Sequence, residues 1–173
     1  DPVDVLFATI DPKKIAVAGT SLGGLTSILA TFHRQMRDPR IAASISIAGP
    51  TSMFTADFFS GSKVPFLMIY GGGGSILVTL RAASHAGFAQ PASTLMRFIA
   101  NPDGIGCRAV KEGLKDELAG QQGQFMTLLG SAEDGVDMSA KINFCSSPPI
   151  PVAMQAARQH MFTALASYAF LES

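Results

Sequence analysis

The sequence predicts an α/β fold: a mostly parallel sheet with flanking helices, then a helical and loop-rich C-terminal region. Three observations predict it. Short apolar runs alternate with a stretch of helical period in the first half of the chain, and Gly and Pro punctuate the runs. A strand, a helix and a strand in succession within residues 14–48 make one parallel unit of an open sheet. The composition is globular: 47% of the 173 residues are hydrophobic, 15% are charged, and 13 Lys+Arg balance 13 Asp+Glu. Such a chain is too apolar to be disordered and lacks the basic excess of a nucleic-acid binder. No run reaches the roughly 18 apolar residues of a transmembrane segment. The length suits a single domain, 1–173, large enough to bury a core without metal or disulfide staples.

The elements follow in order. Lys14 to Ala18 is an apolar run closed by Gly19, read as a buried strand. Leu22 to Met36 carries Leu22, Leu25, Ile28, Leu29, Phe32 and Met36 at helical spacing, and Asp38-Pro39 ends it. Ile41 to Ala48, Val64 to Tyr70 and Ile76 to Ala83 read as three further strands. Asn101-Pro102-Asp103 starts a helix toward Leu118 that stops at Gly120. Pro151 opens a closing helix to Leu171, with Met154, Ala157, Met161, Leu165 and Tyr168 on one face. Residues 1–88 then form the core, 89–150 a cap or loop-rich insertion, and 151–173 the closing helix.

One junction stands out. Only Gly71, Gly72, Gly73, Gly74 and Ser75 separate the third and fourth strands, whereas a parallel crossover takes about a dozen residues. Either the fourth strand is antiparallel, or a connecting segment is absent and the run acts as a flexible linker. The apolar flanks favour the absent segment, and Phe7 to Asp11 shows a weaker sign of the same kind.

Gly19-Thr20-Ser21-Leu22-Gly23 is a G-x-S-x-G sequence set between a strand and a helix. In that context a sharp turn lifts the hydroxyl of Ser21 above the sheet edge, with Gly19 and Gly23 leaving room where a Cβ would clash. The N–H of Leu22 then points at a developing oxyanion, and Gly24 lets the helix approach the sheet. The competing reading is a Gly-rich turn whose serine caps the helix. Of the three histidines, His33 falls in the helix after the motif and His160 inside the closing helix, both packed or solvated. His85, just past the fourth strand, sits where catalytic groups gather in open α/β sheets and is the candidate base.

Three segments together, Ile10 to Gly24, Val64 to Gly71 and Ser84-His85-Ala86-Gly87-Phe88, resemble the α/β-hydrolase family, specifically dienelactone-hydrolase and platelet-activating-factor-acetylhydrolase-like serine esterases. The resemblance implies an α/β-hydrolase-type sheet and a catalytic triad. It covers roughly the first half of the chain. The acid expected after the third strand has no counterpart, because the glycine run lies there; Asp57 is the possible acid, with a capping or solvated role as its competitor. No upstream segment matches the family's second oxyanion loop, and four strands stand where the family has about eight. The chain thus reads as the C-terminal part of a hydrolase or one with pieces removed. The implied activity is acyl-enzyme hydrolysis of small or lipid-like apolar esters, with Met53, Phe54, Phe58, Phe59 and Phe88 as apolar surroundings. An acyltransferase would use the same groups, and a catalytically inactive hydrolase-fold binding module is the alternative from another class.

No cofactor and no metal are expected: no Cys or His pair has ligand spacing, and Gly71 to Gly74 lacks the Lys and Ser/Thr of a phosphate loop. The expected partner is a small-molecule ester, with no nucleic acid. Cys107 and Cys145 either form a disulfide, which would favour a secreted or periplasmic setting, or are buried thiols. The apolar stripe Cys107, Val110, Leu114, Leu118 tilts the reading toward thiols.

Overall fold

A four-stranded, all-parallel sheet in the order β1-β2-β3-β4 organises the computed structural model, which describes residues 11–70, 77–90, 92–113, 126–140 and 151–173. The strands are β1 (Ile15–Thr20), β2 (Ile41–Ile47), β3 (Phe66–Tyr70) and β4 (Leu77–Thr79). The helices are α1 (Leu22–Phe32), α2 (Ala56–Ser60), α3 (Ala92–Leu95), α4 (Asp103–Gly113) and α5 (Ala156–Leu171), with 3-10 turns at Ala86–Phe88 and Ala132–Asp134. The fold is of α/β class, with helices on both faces of the sheet.

Alternation along β2 and β3 sorts the two faces. Ile45, Leu67 and Ile69 join Leu80 in a buried cluster against Phe162, Ala166 and Phe170 of α5. On the opposite face lies α1. There Gly24 approaches so closely that a Cβ would sit 2.7 Å from the Ser46 hydroxyl, as the sequence suggested. Ile28, Phe32 and Phe58 form a second cluster with Phe54, Phe59 and Phe66. Residues 126–140 extend the α1 side: Met126, Leu129 and Val136 pack on Leu25 and Met53.

Several expectations change. α1 stops at Phe32, short of Met36, because the Nδ1 of His33 accepts the N–H groups of Gln35 and Met36 at 3.1 and 3.2 Å. That ring therefore carries its proton on Nε2, which donates to the Leu129 carbonyl at 3.1 Å. His33 is a core histidine, 2% exposed. Ala16, Ala18 and Thr20 of β1 are exposed, whereas the apolar run read as a buried strand; β1 has only β2 beside it among the described residues.

β4 is three residues long and parallel to β3, pairing Met68 with Leu77 and Tyr70 with Thr79. The antiparallel option is thereby excluded. Residues 71–76, and so the question of an absent segment, lie outside the described residues, as do residues 1–10.

The closing helix differs most. It starts at Ala156; ahead of it the N–H groups of Ala153 and Met154 donate to the carbonyls of Ala100 and Ala82, both at 2.7 Å. Met161, Leu165 and Tyr168, of the stripe at helical spacing, are 50–66% exposed. The buried side carries Gln159, Phe162, Ala166 and Phe170. A helix with apolar residues all round leaves period alone unable to choose a face. Cys107, in α4, is disulfide-bonded, correcting the preference for thiols; Cys145 is the chain's one other cysteine and lies outside the described residues.

Candidate functional site

Ser21 follows β1 and precedes α1 with φ 58 and ψ −119, a conformation that costs a non-glycine residue about 1–3 kcal/mol. The surroundings impose it. Its N–H donates to the Ile47 carbonyl at 2.8 Å and its carbonyl accepts the N–H of Leu25 at 3.1 Å. Gly19 makes the bend possible: a Cβ there would fall 2.1 Å from the carbonyl oxygen of Gly23. Gly23 itself is a correction, because a Cβ on it would meet nothing within 4 Å among the described residues. The motif's first glycine yields space to the main chain of the second, not to its side.

The Ser21 hydroxyl makes no capping bond to α1. It lies 2.9 Å from Nε2 of His85. Two side chains 64 positions apart are thus brought together at the same edge of the sheet, and the capping alternative is set aside. Ser21 is half-buried and His85 exposed, so the pair faces solvent. Leu22 opens α1, so its N–H has no acceptor within the helix.

The turn that carries His85 is held by side chains from far along the chain. Asp103, the first residue of α4, accepts the His85 N–H on Oδ2 at 2.9 Å and the Ala86 N–H on Oδ1 at 2.6 Å. Gln159 of α5 is fully buried; it accepts the Ser84 N–H at 3.1 Å and donates to the Ser84 carbonyl at 2.8 Å. The Ser84 hydroxyl accepts the Gly87 N–H at 3.1 Å, closing the turn on itself. Neither Asp103 nor Gln159 was singled out from the sequence. Asp103 reads as a helix start, and nothing in the sequence marks Gln159, which stands between Arg158 and His160.

Asp57 is not part of this cluster. It lies exposed in the first turn of α2, and its carboxylate makes no hydrogen bond to the His85 ring. Among the described residues the ring bonds to Ser21 and to no carboxylate. Among the described residues the buried Nε2 of His160, within α5, has no hydrogen-bond partner. The phenylalanines expected around the site are core instead: Phe54 and Phe58 stack at 4.1 Å under α1, and Phe88 packs with the α5 side.

Residues 89–150 are expected as a cap or loop-rich insertion. Of their described parts, α3 and α4 adjoin the His85 turn, and residues 126–140 pack on α1 and Met53. Among the described residues no three His, Cys, Asp or Glu side chains cluster as metal ligands, and no helix is long and apolar enough to cross a membrane. No family model, no curated protein and no solved structure matches this chain.

Proposed function

We propose that this chain is a serine hydrolase of α/β-hydrolase type that cleaves carboxylic esters through an acyl-enzyme intermediate. The observation that carries the reading is the 2.9 Å approach of the Ser21 hydroxyl to His85 Nε2, made from a strained bend at the end of a parallel strand. Ser21 Oγ attacks the ester carbonyl while its proton passes to His85 Nε2. The N–H of Leu22, at the start of α1, faces the oxyanion. Collapse expels the alcohol, which takes the proton from His85. Water then repeats the sequence in reverse and frees Ser21.

One observation favours a second reading, a catalytically inactive hydrolase-fold binding module: no described carboxylate orients the His85 ring. Loss of that support costs about 10⁴-fold in turnover in serine proteases, so the chemistry survives without it at a reduced rate. A fluorophosphonate probe separates the two readings. The hydrolase reading expects labelling of the native chain that disappears in Ser21→Ala. A folded chain that stays unlabelled rejects it and leaves the binding module.

A further inference from the structure

We infer that Asp103 is a positioning residue for His85, acting through the main chain of the turn rather than through the ring. The inference rests on the hydrolase reading of Ser21 and His85. A carboxylate that accepts two successive N–H groups, those of His85 and Ala86, fixes the peptide planes on both sides of the His85 Cα. Those planes set the direction of the Cα–Cβ bond, and with it the placement of Nε2 relative to Ser21. A misplacement of about 1 Å at such a pair costs on the order of 10²-fold in rate.

The location of the clamp separates orientation from stability. Gln159 serves the main chain of Ser84, a buried residue. Asp103 serves an exposed residue, His85, and a half-buried one, Ala86. Water can satisfy N–H groups there at small cost to the fold, but water cannot hold the turn in one geometry. Asp103 is itself well placed to hold it. Its N–H donates to Oδ1 of Asn101 at 2.9 Å, and Nδ2 of Asn101 donates to the Pro151 carbonyl at 2.7 Å. Four residues along α4, Cys107 is disulfide-bonded. The carboxylate is therefore tied to the segment that leads into α5 and to a covalent crosslink.

The test measures hydrolysis of p-nitrophenyl butyrate and the rate of fluorophosphonate labelling in the full chain. It compares the native protein with Asp103→Ala, Asp103→Asn and Asp134→Ala. Asp134 is the control. Its carboxylate likewise accepts a main-chain N–H, that of Ser131, and the Ser131 hydroxyl, but it lies in a different turn. Asp103→Ala should lower kcat and the labelling rate about 10²-fold with KM little changed. Asp103→Asn, whose one amide oxygen still accepts from one N–H, should recover part of the loss. Asp134→Ala should lower Tm and leave both rates intact. Labelling of Asp103→Ala at the native rate overturns the inference and leaves the hydrolase reading standing. So does a loss of rate in Asp103→Ala and Asp134→Ala alike, in proportion to their loss of Tm. A native chain that does not label at all removes the hydrolase reading, and this inference with it.

Discussion

The bend at Ser21 and the turn at His85 meet across 2.9 Å, yet they are built by opposite means. The bend is made by its neighbours in sequence: the missing side chain of Gly19, the main chain of Gly23, and the start of α1. Its longest reach is the bond from Ser21 to the Ile47 carbonyl on the adjacent strand. The turn is made from a distance, by Asp103 and Gln159, 18 and 75 positions from the residues they hold. A hydroxyl can be aimed by local sterics, because a strained main chain has few alternatives. A histidine on a loop has many alternatives, and distant side chains must remove them.

The largest effect is expected where the bend is tightest. Gly19→Ala places a Cβ 2.1 Å from a main-chain oxygen, where no rotamer change relieves the clash. The cost should be about 4 kcal/mol or more, at the upper end for single substitutions. Denaturant unfolding should show that loss, together with loss of fluorophosphonate labelling. Native-like stability in Gly19→Ala would mean that the bend is not set by local sterics, and the contrast with the turn would fail.

The turn breaks differently. Gln159→Leu keeps the side-chain volume but leaves the buried N–H and carbonyl of Ser84 without partners. Each orphaned group costs about 1–3 kcal/mol, so about 3 kcal/mol in total is expected. Phe162, Ala166 and Phe170 still bury their side of α5, so the sheet should persist. Circular dichroism should retain its strand and helix content while Tm falls. A Gln159→Leu chain as stable as the native one would show that the turn needs no support from α5.

The same contrast decides what the sequence could disclose. The α/β class, β1 to β3 and the Ser21 bend were legible because each rests on a local pattern: an apolar run, a helical period, or glycines at fixed offsets. His85 was legible from its place after a strand. The groups that fix it were not. Asp103 looks like any acidic residue at a helix start, and nothing in a single sequence says that Gln159 meets Ser84. The buried side of α5 was not legible either: a polar residue, Gln159, lies on it, while Met161, Leu165 and Tyr168 of the apolar stripe are exposed. The disulfide was obscured for a related reason: a cysteine on an apolar stripe serves equally as a small hydrophobe.

The smallest expected effect sharpens the account of the bend. If only Gly19 is sterically required, Gly23→Ala should be accepted, because among the described residues the added Cβ meets nothing within 4 Å and it lies in the first turn of α1. Replacing a helical glycine by alanine stabilises by up to about 1 kcal/mol, which for a chain of this size raises Tm by about 2–4 °C. Labelling of Ser21 should continue at the native rate. A lower Tm would show that the main chain at Gly23 needs glycine's freedom, and the bend would then depend on both glycines of the motif. A raised Tm with lost labelling would carry more information. It would mean that the open space beside Gly23 is filled only when an electrophile approaches Ser21, so that the second glycine serves the reaction and not the fold.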